Sequence, residues 1–235
     1  MGVLAAAGWA TLAAFSLVIG AWLAYRPTPV PPSRVGMVMG FGSGAMLAAI
    51  AYELVPTGFH QDVLLFSAFG LGAVVFFVAD AVVAGRRSMG AASAERSLVI
   101  GALLDGVPES LVLGVGVAMG GEVAVAFLVA VFVSNLPEAL GATAAMRAHG
   151  HTKAQAYRVW WTIVAASALA ASLGYLAYRV VPRADGGYVE AFAAGAVLTM
   201  LADSMIPEAY RQGGKATGLL AVLGFAVAGA LSALD

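Results

Sequence analysis

SLVIGALLDGVPESLVLGVGVAM, residues 97–119, is an apolar run with Asp105 and Glu109 set around a Gly-Val-Pro step at its centre. Its length matches the roughly 20 residues an α-helix needs to cross the hydrocarbon core of a membrane. An ionised acid at the centre of such a helix costs about 2.5–3.5 kcal/mol on insertion scales. Asp105 and Glu109 lie one helical turn apart and so share one face. That face is expected to point into a protein interior, not at lipid.

The rest of the chain has the same character. Of 235 residues, 61% are hydrophobic and 11% charged, where a soluble domain carries about 25% charged residues. The simplest solvent for such a chain is lipid. The expected fold is all-α, a single polytopic membrane domain over residues 1–235. Its eight transmembrane helices fall at about 3–24, 36–56, 63–84, 97–119, 122–145, 157–178, 189–209 and 216–233. No stretch is left over for a soluble domain. The first 26 residues, MGVLAAAGWATLAAFSLVIGAWLAYR, lack a charged leader and read as a retained span. The net charge of −1 and the lack of any basic run speak against a nucleic-acid partner. The absence of cysteine removes disulfides, thiolate metal sites and thiol nucleophiles.

The connectors are short, and RPTPVPPSR (26–34) is rich in proline, which does not continue a helix. Breaks also fall at TGFHQ, GRRSMGAASAERS, Gly120-Gly121, RAHGHTKAQAYR, RVVPRADGGY and RQGGKATG. Loops on the side opposite the N-terminus hold ten basic residues, among them Arg26, Arg86, Arg147 and Arg211, against Arg179 and Arg183 on the other. Lys and Arg favour the cytoplasmic side. Both termini are therefore expected outside a bacterial-type cytoplasmic (inner) membrane.

The chain also repeats itself. GAMLAAIAYELVPTGF (44–59) aligns without gaps to GAVLTMLADSMIPEAY (195–210), with Pro56 and Pro207 in register. LLDGVPESL (103–111) aligns likewise to FVSNLPEAL (132–140). In each pair the two spans run in opposite directions, as in the inverted repeats of secondary transporters.

The second alignment doubles the chemistry. Pro108-Glu109 and Pro137-Glu138 each place a proline inside a span, where it frees the carbonyl four residues back, here Leu104 and Val133. Ser134 and Asn135 share a helix face with Glu138. Together Asp105, Glu109, Ser134, Asn135 and Glu138 offer carboxylate, hydroxyl and amide oxygens, all hard donors suited to a divalent metal cation. The three acids would cost roughly 8–10 kcal/mol exposed to lipid, and a dication relieves their mutual repulsion while displacing protons. Glu53, Asp203 and Glu208, near span ends, are candidates to line a pathway. Asp80 is expected to pair with Arg86 or Arg87. His60, His149 and His151 read as loop residues, with His149-Gly150-His151 a weak metal cue. Trp9, Trp22, Trp160 and Trp161 read as packing or interface anchors.

DGVPES (105–110) and SNLPEA (134–139), within eight spans with both termini outside, resemble the ZIP (Zrt/Irt-like) metal transporters. GAMLAAIAYELVP, GLGAVVFFVAD and ADSMIPE are similar to that family too, so the resemblance covers essentially the whole chain. It implies a 3+2+3 arrangement of inverted repeats, a metal site between the fourth and fifth helices, and uptake of zinc or related cations into the cytoplasm. It also implies that Glu109, Asn135 and Glu138 stand at metal-binding positions. Asp105 stands where the family usually has histidine, Gly106 where it often has asparagine, and Ser134 at a variable place. The sixth span lacks the acid by which some members bridge two metals, and the loop before the fourth span lacks the family's histidine cluster. One main site is therefore expected. With no nitrogen ligand, manganese and iron stand beside zinc as candidate cargo.

The expected function is secondary transport of a divalent metal cation, with no Walker motif for ATP and no cofactor. The partners are the cation, the lipid bilayer and, as a candidate, a second copy of the chain as a homodimer. A membrane-embedded hydrolase using paired carboxylates is the competing class. The chain has no Gly-x-Gly-Asp, His-Glu-x-x-His or serine elbow, and a non-enzyme is expected. A metal-binding membrane protein that does not transport is the third.

Overall fold

A computed structural model describes residues 2–55, 62–87, 91–119, 124–180 and 187–234, all-α among the described residues. The helices are α1 (Val3–Ala24), α2 (Pro32–Ala49), α3 (Val63–Arg87), α4 (Ala91–Ala118), α5 (Val125–Ala148), α6 (Lys153–Val180), α7 (Gly187–Met200), α8 (Ile206–Gly213) and α9 (Ala216–Ser232). A π turn, Ile50–Leu54, extends α2, and another, Leu201–Met205, joins α7 to α8. Pro56, His60, Gly120, Gly121 and Arg183 lie outside the described residues, as do the side chains of Arg86, Arg87 and Arg96.

Seven helical segments are long and apolar enough to cross a membrane. α9, with 17 residues, is shorter. The outward faces of α3 and α9 expose Leu71, Val74, Phe77, Leu219 and Val222, a surface suited to hydrocarbon.

One expectation about breaks changes. The proline-rich connector already starts α2 at Pro32, because the N–H that proline lacks is one the first helical turn does not need. α4 and α5 run continuously through Pro108 and Pro137. The irregular backbone sits instead in the second and seventh spans. There the Val55 N–H donates to the Ile50 carbonyl at 3.0 Å, and the Ile206 N–H bonds to the Leu201 carbonyl. Both are i→i+5 bonds, each inserting one extra residue into the helix. They fall at matching positions of the 44–59 and 195–210 repeat.

Packing follows the same repeat. α4 lies mainly against α6, and α1 against α5 and α6; α2 lies against α9, and α3 against α7. Exchanging α1 with α6, α2 with α7, α3 with α9 and α4 with α5 turns α4–α6 into α1–α5 and α2–α9 into α3–α7, and leaves α1–α6 as it is. Small residues allow the close approach. A Cβ on Gly44 would stand 1.8 Å from the Ala221 carbonyl oxygen of α9, and one on its repeat mate Gly195 would stand 2.0 Å from that of Phe69 in α3.

Candidate functional site

The five residues singled out from the Pro-Glu motifs meet. Asp105 and Glu109 from α4, and Ser134, Asn135 and Glu138 from α5, line one cavity of about 440 Å³. α4 and α5 touch each other little, so their polar faces look at one another across open space. α2 closes a third wall. A Cβ on Gly42 would lie 2.9 Å from the Ser134 Cα, which shows how tightly α2 presses on α5 at this level.

Glu109 is 2% exposed, and its Oε2 has no hydrogen-bond partner among the described residues. A buried polar atom left unpaired costs about 1–3 kcal/mol, more when charged, so this oxygen calls for a proton, a water or a cation. Glu138 is within electrostatic reach of both Asp105 and Glu109. The Ser134 hydroxyl donates to the Val131 carbonyl at 3.0 Å, which leaves its lone pairs to accept. Ser110 donates to the Gly106 carbonyl at 2.7 Å, one turn back on α4. Among the described residues, no three His, Asp or Glu side chains converge closely enough to grip a metal ion. The acids share a chamber and do not form a closed cage.

The candidate pathway acids divide. Asp203, in the second π turn, and Glu208, on α8, line the same cavity. Glu208 is held by Arg211 at 2.6 and 2.8 Å and by Gln212. Glu53 lies elsewhere, accepting a hydrogen bond from Ser232 at the far end of α9, roughly 25 Å along that helix from its start beside α8. His149 and His151 bond through Nδ1 to the carbonyls of Ala145 and Met146, closing the end of α5. Gly150, at φ +87°, makes the turn between them. Trp160 is fully buried, whereas Trp22 and Trp161 are about half exposed.

Several lining residues carried no sequence signal: Met39, Met200, Ser204, Met205 and Arg211. The repeat could have flagged Ser204 and Met205, since they flank Asp203 at the step before Pro207. Nothing in local spacing foretells Met39 or Arg211. Compared with family models and with curated proteins, the chain finds no match in either.

Proposed function

We propose that the chain is a secondary transporter of divalent metal cations in the cytoplasmic membrane, carrying zinc, with manganese and iron as alternatives, into the cytoplasm. The observation that carries this reading is Glu109: a buried carboxylate with an unpaired oxygen, on the wall of a chamber whose other polar groups are Asp105, Ser134, Asn135, Glu138, Asp203, Ser204 and the Glu208–Arg211 pair. In a body this apolar, such a chamber favours a positive guest. Its donors are all oxygen apart from methionine sulfur, which fits a hard to borderline dication. The ZIP resemblance agrees with this reading.

Orientation follows from charge. Ala24, Pro32, Ala144 and Arg211 surround one cavity, so three of the four connectors rich in Arg and Lys gather at one end of the bundle. By the positive-inside rule that end is cytoplasmic. The acidic chamber reaches Arg211 and so opens inward. α9, at the lower limit of spanning length, supplies the eighth crossing and leaves both termini outside. The pairwise exchange of helix contacts supports the 3+2+3 inverted repeat, whose two halves rock about the site. With the acids spread round the chamber, the cation stays partly hydrated here and is gripped by Asp105, Glu109, Asn135 and Glu138, with Ser134 as a weaker ligand, when the walls close.

The test is uptake by purified protein in liposomes across Zn²⁺, Mn²⁺, Fe²⁺, Co²⁺ and Cd²⁺, with and without a pH gradient. Flux is expected for the wild type and lost in Glu109→Ala and Glu138→Ala variants that stay monodisperse in detergent. Absence of flux for every ion, or normal flux in those variants, discards the assignment.

A further inference from the structure

Behind the acids lies a second, much smaller cavity, on the side of α1 and α6. Its polar lining is Gly106, Glu109, Ser110, Asn135, Glu138 and Ser167, with alanines of α1 opposite. Glu109, Asn135 and Glu138 line the large chamber as well. They form a partition with a wet hall on one face and a closet on the other.

One residue that keeps the closet open is a glycine. Gly106 occupies the place on α4 that Asn135 fills on α5, and its missing side chain leaves a gap facing α6. A Cβ there would come within 3.5 Å of the Ser167 Oγ, an ordinary contact. The gap leaves about 10 Å³ for the centre of a water molecule, room for about one water, which needs two to four polar partners. The lining offers them. Ser167 is buried and presents a hydroxyl that can donate or accept. Ser110 spends its proton on the Gly106 carbonyl and keeps its lone pairs. Glu109 contributes an acceptor, and its Oε2 lacks a partner among the described residues.

We propose that this cavity is a binding site for a single structural water, which donates to the Glu109 carboxylate and accepts from the Ser167 hydroxyl. The water ties the acid to α6, and Ser167 is thereby a positioning residue for Glu109. The space fits one water and brings a pair of carboxylates, neutral hydroxyls and an amide round it, a lining that a water can satisfy by both donating and accepting. The positioning role rests on the cation-binding reading above; the water itself does not.

The experiment is a structure of the metal-free protein at a resolution that shows ordered water, followed by calorimetric Zn²⁺ titration of Gly106→Ala and Ser167→Val. The expected density is one peak within hydrogen-bonding distance of both Glu109 and Ser167. A dry cavity, or a peak with ligands at the roughly 2.0–2.2 Å of a zinc–oxygen bond, overturns the site. Gly106→Ala fits without a clash yet takes the water's place, and Ser167→Val fills the gap from the other side. Each is expected to weaken Zn²⁺ binding about 10-fold or more, the usual effect of losing a partner that orients a metal ligand. Unchanged affinity in whichever variant folds overturns the positioning role. A wild type that binds no Zn²⁺ refutes the transport reading, while the water peak still decides the site.

Discussion

Arg211 grips Glu208 with two prongs at the mouth of the acidic chamber, Nε donating to Oε2 at 2.8 Å and Nη2 to Oε1 at 2.6 Å. The guanidinium is a tethered cation where a mobile one would arrive. Arg211 is exposed and Glu208 about one-third so, one turn apart on α8, and the pair contributes little to folding. Arg211→Gln is expected to leave the melting temperature unchanged while lowering KM for Zn²⁺ uptake severalfold, because Glu208 is freed to attract the ion. Glu208→Gln should raise KM. Liposome uptake at low ionic strength measures both.

Glu109 buries an unpaired oxygen at a cost to stability. Glu109→Met keeps the volume and removes the unpaired oxygen, and buried ionic groups replaced this way are often neutral or stabilising. The metal-free variant is expected to gain about 1–3 kcal/mol, read from thermal unfolding in detergent, and to lose uptake entirely. A variant that is both less stable and active contradicts this account.

Cation binding should fade in acid. On the proposed reading, Asp105, Glu109 and Glu138 accept a metal only when deprotonated, and binding expels whatever protons they hold. Over a pH range in which one proton is displaced per ion, Zn²⁺ affinity falls about tenfold for each unit of acidification. Calorimetry in buffers of different ionisation enthalpy checks the sign and counts the protons released.

The glycine contacts predict an asymmetry among Gly→Ala changes. At Gly44 and Gly195 the new methyl would meet backbone oxygen of the neighbouring helix at 1.8 and 2.0 Å, and the helices must part, costing about 1–3 kcal/mol or more. At Gly141, also helical, nothing lies within 4 Å, and Ala should stabilise by about 0.5–1 kcal/mol. Melting curves of the three variants decide it.

Trp160 is buried, and its indole N–H donates to the Thr143 Oγ1 at 2.7 Å, joining α6 to α5. Thr143→Val preserves shape and orphans that N–H. The expected loss is about 1–3 kcal/mol, with Zn²⁺ binding retained because the pair does not line the chamber. Thermal unfolding and calorimetry separate the two effects.

The site's core was legible because its signals are local and energetic. Acids one turn apart in apolar spans have nowhere to go but inward, and Asp105, Glu109, Asn135 and Glu138 do line one space. Glu208 and Asp203 line it too, but Glu53 turns to Ser232, since position near a span end does not say which side of a helix a residue occupies. Pro108 and Pro137 sit within continuous helices, while the π turns stand just before Pro56 and Pro207, the prolines that the repeat holds in register. Met39 and Arg211 reach the chamber only through the packing of α2 and α8, which one sequence does not reveal.

Because the main helix contacts of one half, and the close approaches at Gly44 and Gly195, have counterparts in the other, the halves interlock as mutual templates. α1–α4 supplies the grooves that α5–α9 needs, and the reverse. A gene cut between Ala118 and Val125 should therefore yield two fragments that are unstable apart and reassemble when co-expressed. An ancestor of half the length could have worked as a pair of identical chains, inserted head-up and head-down.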